Sequence, residues 1–363
     1  MKRVLAIAIV AVATAGCGAT GSTSGGLGDS GDPVTLTVGY QPYYSESWSG
    51  LVLREKEFWR DHLPEGSKVS FQVGLQGSVI VSQMLAGKQQ IGYMGDMPAI
   101  VGASKRPQRD LRIVSTLGLA SDQCAVFLVR NDAPEFADQA EAVKWMDGKV
   151  VSTPQGSCTD RIGQATFEQQ GVKPKEYLNQ PLDVISSGFE SGKIDAAIVW
   201  EPTASRLVNA GLARRVASGS LLGALDAGFL VMSQELIEER PDVAEAWLKA
   251  ELDAQRFLAD PANAEEIAAM AKRNTQGLSQ QDLWDALYKP WPEDQGGSQD
   301  GVRIRLPFVI TADARTHIGD AAKFLNEIDA IGSPELPPDA VNDKLAAKVL
   351  GSQEAPGQIE AQR

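Results

Sequence analysis

The chain has 363 residues, 43% hydrophobic and 22% charged, a composition that suits a folded protein with core enough for two domains. A formal net charge of -13 excludes nucleic acid as a partner, because phosphate binding needs clustered Lys and Arg. Only two histidines occur, His62 and His317, with no metal-ligand spacing around either, so no metal is expected and each reads as a surface or helix-capping residue.

The chain opens with Lys2 and Arg3, an apolar run over residues 4–13, and then Thr14, Ala15, Gly16 and Cys17. A basic start, a short apolar core and a small-residue cleavage site form a secretory signal, too short to span a bilayer that needs about 20 helical residues. Cys17 after small residues resembles the lipobox of bacterial lipoproteins, which makes it the expected lipid anchor of the mature protein. Ordinary cleavage near Ala15 or Ala19 is the alternative. Residues 18–33 begin Gly-, Ser- and Thr-rich and read as a flexible tether. The expected place of action is the extracytoplasmic face of the cell membrane, periplasmic or extracellular. No later segment is apolar enough to cross a bilayer.

From residue 34 strands and helices alternate. Residues 34–38 read as a buried strand, followed by a loop through Gly39, Tyr40, Gln41 and Pro42 and a helical stretch reaching Phe58 and Trp59. A strand over 69–73, a helix opened by Gly77 and Ser78, a short strand over 91–94 and a helix after Pro98 continue the pattern. Strands over 113–119 and 124–130 carry the chain into a second unit. That unit holds a strand over 148–152, a helix over 159–169, Val184 and Ile185 with a helix around Phe189, and a strand over 196–200. Residues near Val216 and 229–232 return to the first unit, and helices are expected over 244–258, 264–271, 281–287 and 314–328.

Strand, loop and helix in this order predict an α/β fold with a mostly parallel sheet in each of two lobes. The expected division is 34–118 for the first part of lobe 1, 119–222 for lobe 2, 223–350 for the return with C-terminal helices, and 351–363 as a frayed polar tail. Such lobes enclose a cleft, and open α/β sheets bind ligands at the carboxyl ends of their strands.

Four strand-end loops therefore carry the candidate site: residues 40–48, 76–78, 95–98 and 155–158. Gly77 with Ser78, and Gly156 with Ser157, stand just ahead of helices, where unpaired N–H groups and the positive dipole end favour an anion. Simple helix capping by serine explains either loop taken alone. Cys124 and Cys158 form an even pair in an oxidising compartment, and both a disulfide and two buried thiols remain open.

Read together, the motifs match a family. Gly87-Lys88-Gln89-Gln90-Ile91-Gly92, then Gly95-Asp96-Met97-Pro98, Gly156-Ser157, Gln170-Gly171-Val172, Ser191-Gly192-Lys193-Ile194-Asp195-Ala196 and Val199-Trp200-Glu201-Pro202 stand in that order. This series resembles the nitrate, sulfonate and taurine group of ABC-transporter substrate-binding proteins, nearest the alkanesulfonate-binding branch, over residues 34–275. Past residue 290 the likeness fades, and residues 296–305 read as an atypical insertion.

The resemblance implies a type II periplasmic-binding-protein fold, a small anionic ligand such as a sulfonate or taurine, and docking of a monomer onto an ABC permease. A nitrate-like anion, an aromatic carboxylate and a thiamine-pyrimidine precursor are the alternatives. Carried over by position, the ligand meets Tyr40, Tyr43, Gln76, Gly77, Ser78, Asp96, Gly156, Ser157, Trp200 and Glu201. Arg161 could add charge one turn into its helix, although exposure is the commoner fate of an arginine. Trp200 ends an apolar strand, a usual core position, but Glu201 and Pro202 turn the chain there and point it to the cleft. Asp96 and Glu201 are awkward beside an anion; accepting a bond from a ligand amine, orienting donors and bracing closure are the roles open to them.

The fold also resembles eukaryotic pyrimidine-precursor synthases, which rely on a histidine and a cysteine-rich segment. No cysteine cluster, Ser-His-Asp order or Walker-type loop occurs here, so no enzyme and no cofactor are expected.

Overall fold

The computed structural model describes residues 27–105 and 110–362. The expected signal, Cys17 and the tether up to residue 26 lie outside the described residues. Strands β1 (Thr35–Tyr40), β2 (Lys68–Val73), β3 (Ile91–Gly95) and β4 (Leu111–Ala120) begin a first sheet. Strands β5 (Val126–Arg130), β6 (Val150–Thr153), β7 (Glu176–Asn179), β8 (Ala196–Val199) and β9 (Ala213–Ser218) form a second. The chain then returns with β10 (Asp226–Ser233), β11 (Val302–Leu306) and β12 (Gly357–Glu360) to give orders β12-β11-β4-β10-β3-β1-β2 and β7-β6-β8-β5-β9.

Helices α1 (Trp48–Lys56), α2 (Gly77–Leu85) and α3 (Asp96–Ser104) follow β1, β2 and β3 in turn. The second lobe carries α4 (Gln139–Trp145), α5 (Cys158–Gln170), α6 (Leu182–Glu190) and α7 (Thr203–Asn209). After β10 come α8 (Gln234–Glu239), α9 (Pro241–Ala259), α10 (Ala264–Asn274), α11 (Gln280–Tyr288), α12 (Ala312–Glu327) and α13 (Asp343–Leu350). None of the described helices is long and apolar enough to cross a membrane.

Burial explains the strand sequences. Every residue of β3, β4 and β10 is buried, because helices cover both faces of the first sheet, and those strands therefore read as near-continuous apolar runs. Trp48, Trp247 and Leu252 pack on one face with Val38 and Leu230. Ile80, Ile100, Ile318 and Leu325 pack on the other with Met94 and Phe229. The parallel pairs β1–β2 and β1–β3 and the antiparallel β10 leave the carboxyl ends of β1, β2 and β3 along one edge of the lobe.

Three expectations are corrected. The polar tail is not frayed: Gly357–Glu360 pairs with β11 and buries Ile359, and the Gln362 N–H donates to the Tyr288 carbonyl at 2.7 Å. Neither sheet is mostly parallel: β10, β4, β11 and β12 join the first sheet antiparallel, and β5 runs antiparallel to both β8 and β9, because the chain crosses between the lobes and returns. Residues past 290 pack into the fold, β11 joining β4 and the turn before it lying against the second lobe. Val184 and Ile185 sit inside α6, and the second lobe's edge strand is the short, half-exposed β7, which has no apolar run to announce it.

Residues 121–125 and 219–225 cross between the lobes, and a buried ion cluster stands beside them. The Arg215 guanidinium contacts Glu201 Oε1 at 3.2 Å and Asp122 Oδ2 at 3.7 Å, and Arg303 bonds Asp122 from the first lobe. Arg215 also donates to the carbonyls of Gln295 and Gly296, both at 3.0 Å.

Inside the first lobe, Glu251 is fully buried on α9 and accepts from Gln255 Nε2 at 2.8 Å. Burial pushes its carboxyl up to about 7, against the opposing hydrogen bonds of Ser49, Gln255 and Tyr93. A raised folded-state value means that the stability this group contributes is complete below the ordinary carboxyl range and is lost as pH rises through about 7. Glu251→Gln should match the parent near pH 5 and exceed it above pH 8 by on the order of 2 kcal/mol in urea unfolding. A difference independent of pH would contradict this account of Glu251.

Candidate ligand site

Three helices start where strands end, and their first turns open into one cavity of about 270 Å³ between the lobes. Gln76, Gly95 and Ser157 are the respective cap residues of α2, α3 and α5, and none of their side chains caps its helix. First-turn N–H groups have no acceptor within the helix, so each start presents donors and a partial positive charge. Gly77 is required for this approach: a Cβ there would stand 2.4 Å from Pro98 Cγ and 3.0 Å from Gln41 Oε1.

The second-lobe wall comes from residues 154–158 and Trp200. Gly156 takes φ +73° to turn the chain into α5, and its own N–H donates to Asp160 Oδ2 at 2.8 Å. The Ser157 hydroxyl lies 2.5 Å from the Pro154 carbonyl and 2.6 Å from Thr159 Oγ1, which lies 2.6 Å from Thr153 Oγ1. Thr153 in turn donates to the Ile198 carbonyl at 2.9 Å. Three hydroxyl protons thus serve four contacts, so the Ser157 proton has two competing acceptors and can turn to a third. Trp200 Nε1 donates to the Tyr43 carbonyl at 3.1 Å, a bond from the second lobe to the first across the cleft.

Asp96 sits at the first position of α3, 0% exposed, with Oδ1 accepting from the Met97 N–H at 2.7 Å and Oδ2 2.8 Å from His317 Nε2. Burial alone would raise its carboxyl, but His317, Arg161 and the Met97 N–H outweigh it and hold Asp96 below the usual carboxylate range. His317 is therefore neither a surface nor a capping residue: it is buried on α12 and reaches Asp96 from 221 residues away. His62 is half-buried, 2.6 Å from Asp253. Arg161 is not exposed; it donates to the Leu225 carbonyl at 2.5 Å and stands 3.9 Å from Asp96.

Of the sequence-derived residues, Gln76, Gly77, Ser78, Asp96, Gly156, Ser157 and Trp200 border the cavity. Tyr40, Tyr43 and Glu201 do not. Tyr40 points into the core beneath α1 and α10, its hydroxyl donating to Asn274 Oδ1 at 2.9 Å, because the alternation of β1 turns it from the cleft. Tyr43 turns its hydroxyl outward to accept from the Gln276 N–H at 2.9 Å. Glu201 is held behind the wall by Arg215 and the Ser205 N–H. Gln41 and Tyr44, which lie within the expected loop 40–48 but not among its named ligand residues, face the cavity instead, and Lys105, outside the four loops, stands at its rim. Tyr44 donates to the Ala227 carbonyl at 3.2 Å, and Gln41 Oε1 is buried without a partner. Cys124 and Cys158 are joined, with Cα atoms 6.2 Å apart, tying α5 to the first crossing.

Comparison with known proteins agrees with this architecture. Residues 29–272 match the NMT1-like family. The chain belongs to the NMT1-like family. A taurine-binding periplasmic protein of Escherichia coli (strain K12) is 27% identical over 235 residues, 63% of this chain and 68% of that one. The alkanesulfonate-binding protein SsuA of Xanthomonas axonopodis pv. citri, solved bound to MOPS, superposes with a TM-score of 0.66 at 17% identity, covering 86% of this chain and 99% of that one. A desulfurization enzyme, DSZB, superposes at 0.62 and 18%, covering 88% and 99%. The NMT1-like fold is thus the two-lobed binding-protein fold expected from the motifs, and it also carries catalysis elsewhere, so the site decides function here.

Proposed function

We propose that this chain is the extracytoplasmic substrate-binding component of an ABC importer, capturing a small sulfonate and handing it unchanged to a membrane permease. The observation that carries this reading is the convergence of three uncapped helix starts, from both lobes, on one cavity. A sulfonate stays ionised across physiological pH, so neutral donors and helix dipoles suffice to hold it. The names of the taurine-binding relative and the sulfonate-binding structural neighbour point the same way. Cys158, the cysteine at the cavity wall, is disulfide-bonded and offers no thiolate for covalent chemistry, and His317 is spent on Asp96 behind the wall. Binding rather than turnover fits these residues.

A thermal-shift panel tests the ligand class, using taurine, short alkanesulfonates, nitrate, sulfate, aromatic carboxylates and thiamine pyrimidines. At about 100 times its dissociation constant a ligand adds about 2.7 kcal/mol, which raises Tm by several degrees. Sulfonates should shift the parent and shift Ser157→Ala less. A response to pyrimidines alone would overturn the reading.

The same role requires the receptor to stay near its permease, and we assign that task to a lipid on Cys17. Cys17→Ser should release the protein into the soluble fraction. Retention of the variant on membranes after a carbonate wash would exclude the anchor.

A further inference from the structure

The one covalent cross-link among the described residues stands at the ligand cavity. Cys158 is the first residue of α5 and borders the cavity, and its bond runs to Cys124 in the first crossing. The residues around Cys158 bond locally. The Gly156 N–H reaches Asp160, Ser157 reaches Pro154 and Thr159, and Asp160 accepts from Gln164 and Tyr177, all within the second lobe. The crossing, by contrast, is fastened to the first lobe: the Cys124 N–H donates to Asp226 Oδ2 at 3.0 Å, and Ser45 Oγ donates to Gln123 Oε1 at 2.8 Å.

The disulfide therefore carries the position of the first lobe to the start of α5. Cys158 and Trp200 are the buried second-lobe members of an apolar cluster otherwise built from the crossing and the first lobe, Met97 and Tyr44 among them. Arg161, also in the first turn of α5, adds a hydrogen bond to the Leu225 carbonyl and stands 3.9 Å from Asp96. A cavity that holds a small ligand by donors from both lobes needs those donors set in advance, because ordering them at the moment of binding costs affinity. Cys124 is fully buried, whereas Cys158 borders the cavity, so the cavity is the approach to the bond and a ligand there stands in it.

We propose that this disulfide gates capture: the oxidised chain binds its ligand, and the reduced chain, as made before export, binds it weakly. This rests on the exported-receptor reading above and deepens it. In reduction by a dithiol, one thiolate attacks Cys158 Sγ, which breaks the S–S bond and releases Cys124 as the thiolate. The second thiolate of the dithiol then displaces Cys158 and closes the dithiol's own disulfide. Two electrons and two protons pass from the dithiol to Cys124 and Cys158, and oxidation after export, by a protein disulfide, is the same exchange run backwards. By linkage, the ligand protects the bond by the same factor by which the bond strengthens the ligand.

Isothermal titration with taurine and ethanesulfonate, on the full chain oxidised and then reduced with dithiothreitol, tests this. The reduced chain should bind at least about tenfold more weakly, within the usual range of coupling between two sites. The double variant Cys124→Ser, Cys158→Ser should match the reduced chain and ignore dithiothreitol. In a dithiothreitol redox buffer, saturating sulfonate should make the parent's disulfide harder to reduce by the same factor. Equal affinity of folded oxidised and reduced chains would overturn the proposal and leave the receptor reading standing. A reduced chain already melted at the titration temperature, shown by loss of its near-ultraviolet circular dichroism, would make the link a requirement of the fold and overturn the proposal too. Binding of neither sulfonate by the oxidised chain would remove the sulfonate reading, and this inference with it.

Discussion

The geometry of the cleft depends on one buried guanidinium. Arg215 is 3% exposed, and its bonds reach Asp122 in the first crossing, Glu201 in the turn that carries Trp200, and the Gln295 and Gly296 carbonyls of the first lobe. Burial lowers the guanidinium to about 10, and Asp122 and Glu201 oppose that shift. Desolvating such a cluster is expensive, and removing one member of a buried pair typically costs about 3–5 kcal/mol because its partner is left uncompensated. What the cluster supplies is a defined arrangement. It fixes the second-lobe wall against the first-lobe strands at the point where the chain crosses. The Cys124–Cys158 link and the Trp200 bond to Tyr43 add fixed contacts on the cavity side of the same junction.

With the walls held, the chemistry of the cavity follows from where helices begin. α2 and α3 rise from β2 and β3, the parallel strands on either side of β1, and α5 from the facing sheet, so their first turns meet at a cavity whose described lining holds no arginine. Arg161, in the first turn of α5, is turned toward the Leu225 carbonyl and Asp96. His317 lies behind the wall and holds Asp96, which borders the cavity and orients the start of α3 by accepting from the Met97 N–H.

Much of this was legible in the sequence because strand-end loops share an edge in any open α/β sheet. Residues 76–78, 95–98 and 155–158 could be assigned to one region from the order of elements alone, and they meet at the cavity. Which side chain of a loop faces the ligand was harder. Tyr40 and Tyr43 draw attention as aromatics, yet the alternation of β1 and the short 3-10 turn at Ser45–Ser47 present Gln41 and Tyr44 instead. Partners distant in sequence left no local mark. His317 reaches Asp96, and Arg303 reaches Asp122 across 181 residues, through packing that periodicity cannot express. Edge strands were missed for the same reason: β7 and β12 are short, polar and half-exposed, and only their pairing with β6 and β11 makes them strands.

A crystal structure of the protein grown with taurine tests the central claim most directly. The account predicts the sulfonate within about 3 Å of backbone N–H groups at the starts of α2 and α5, with Trp200 over the bound molecule. A ligand seated in the second hollow, about 510 Å³ between Ser121, Gln139 and Arg305, or a head group held at the Lys105 rim away from both helix starts, would contradict it.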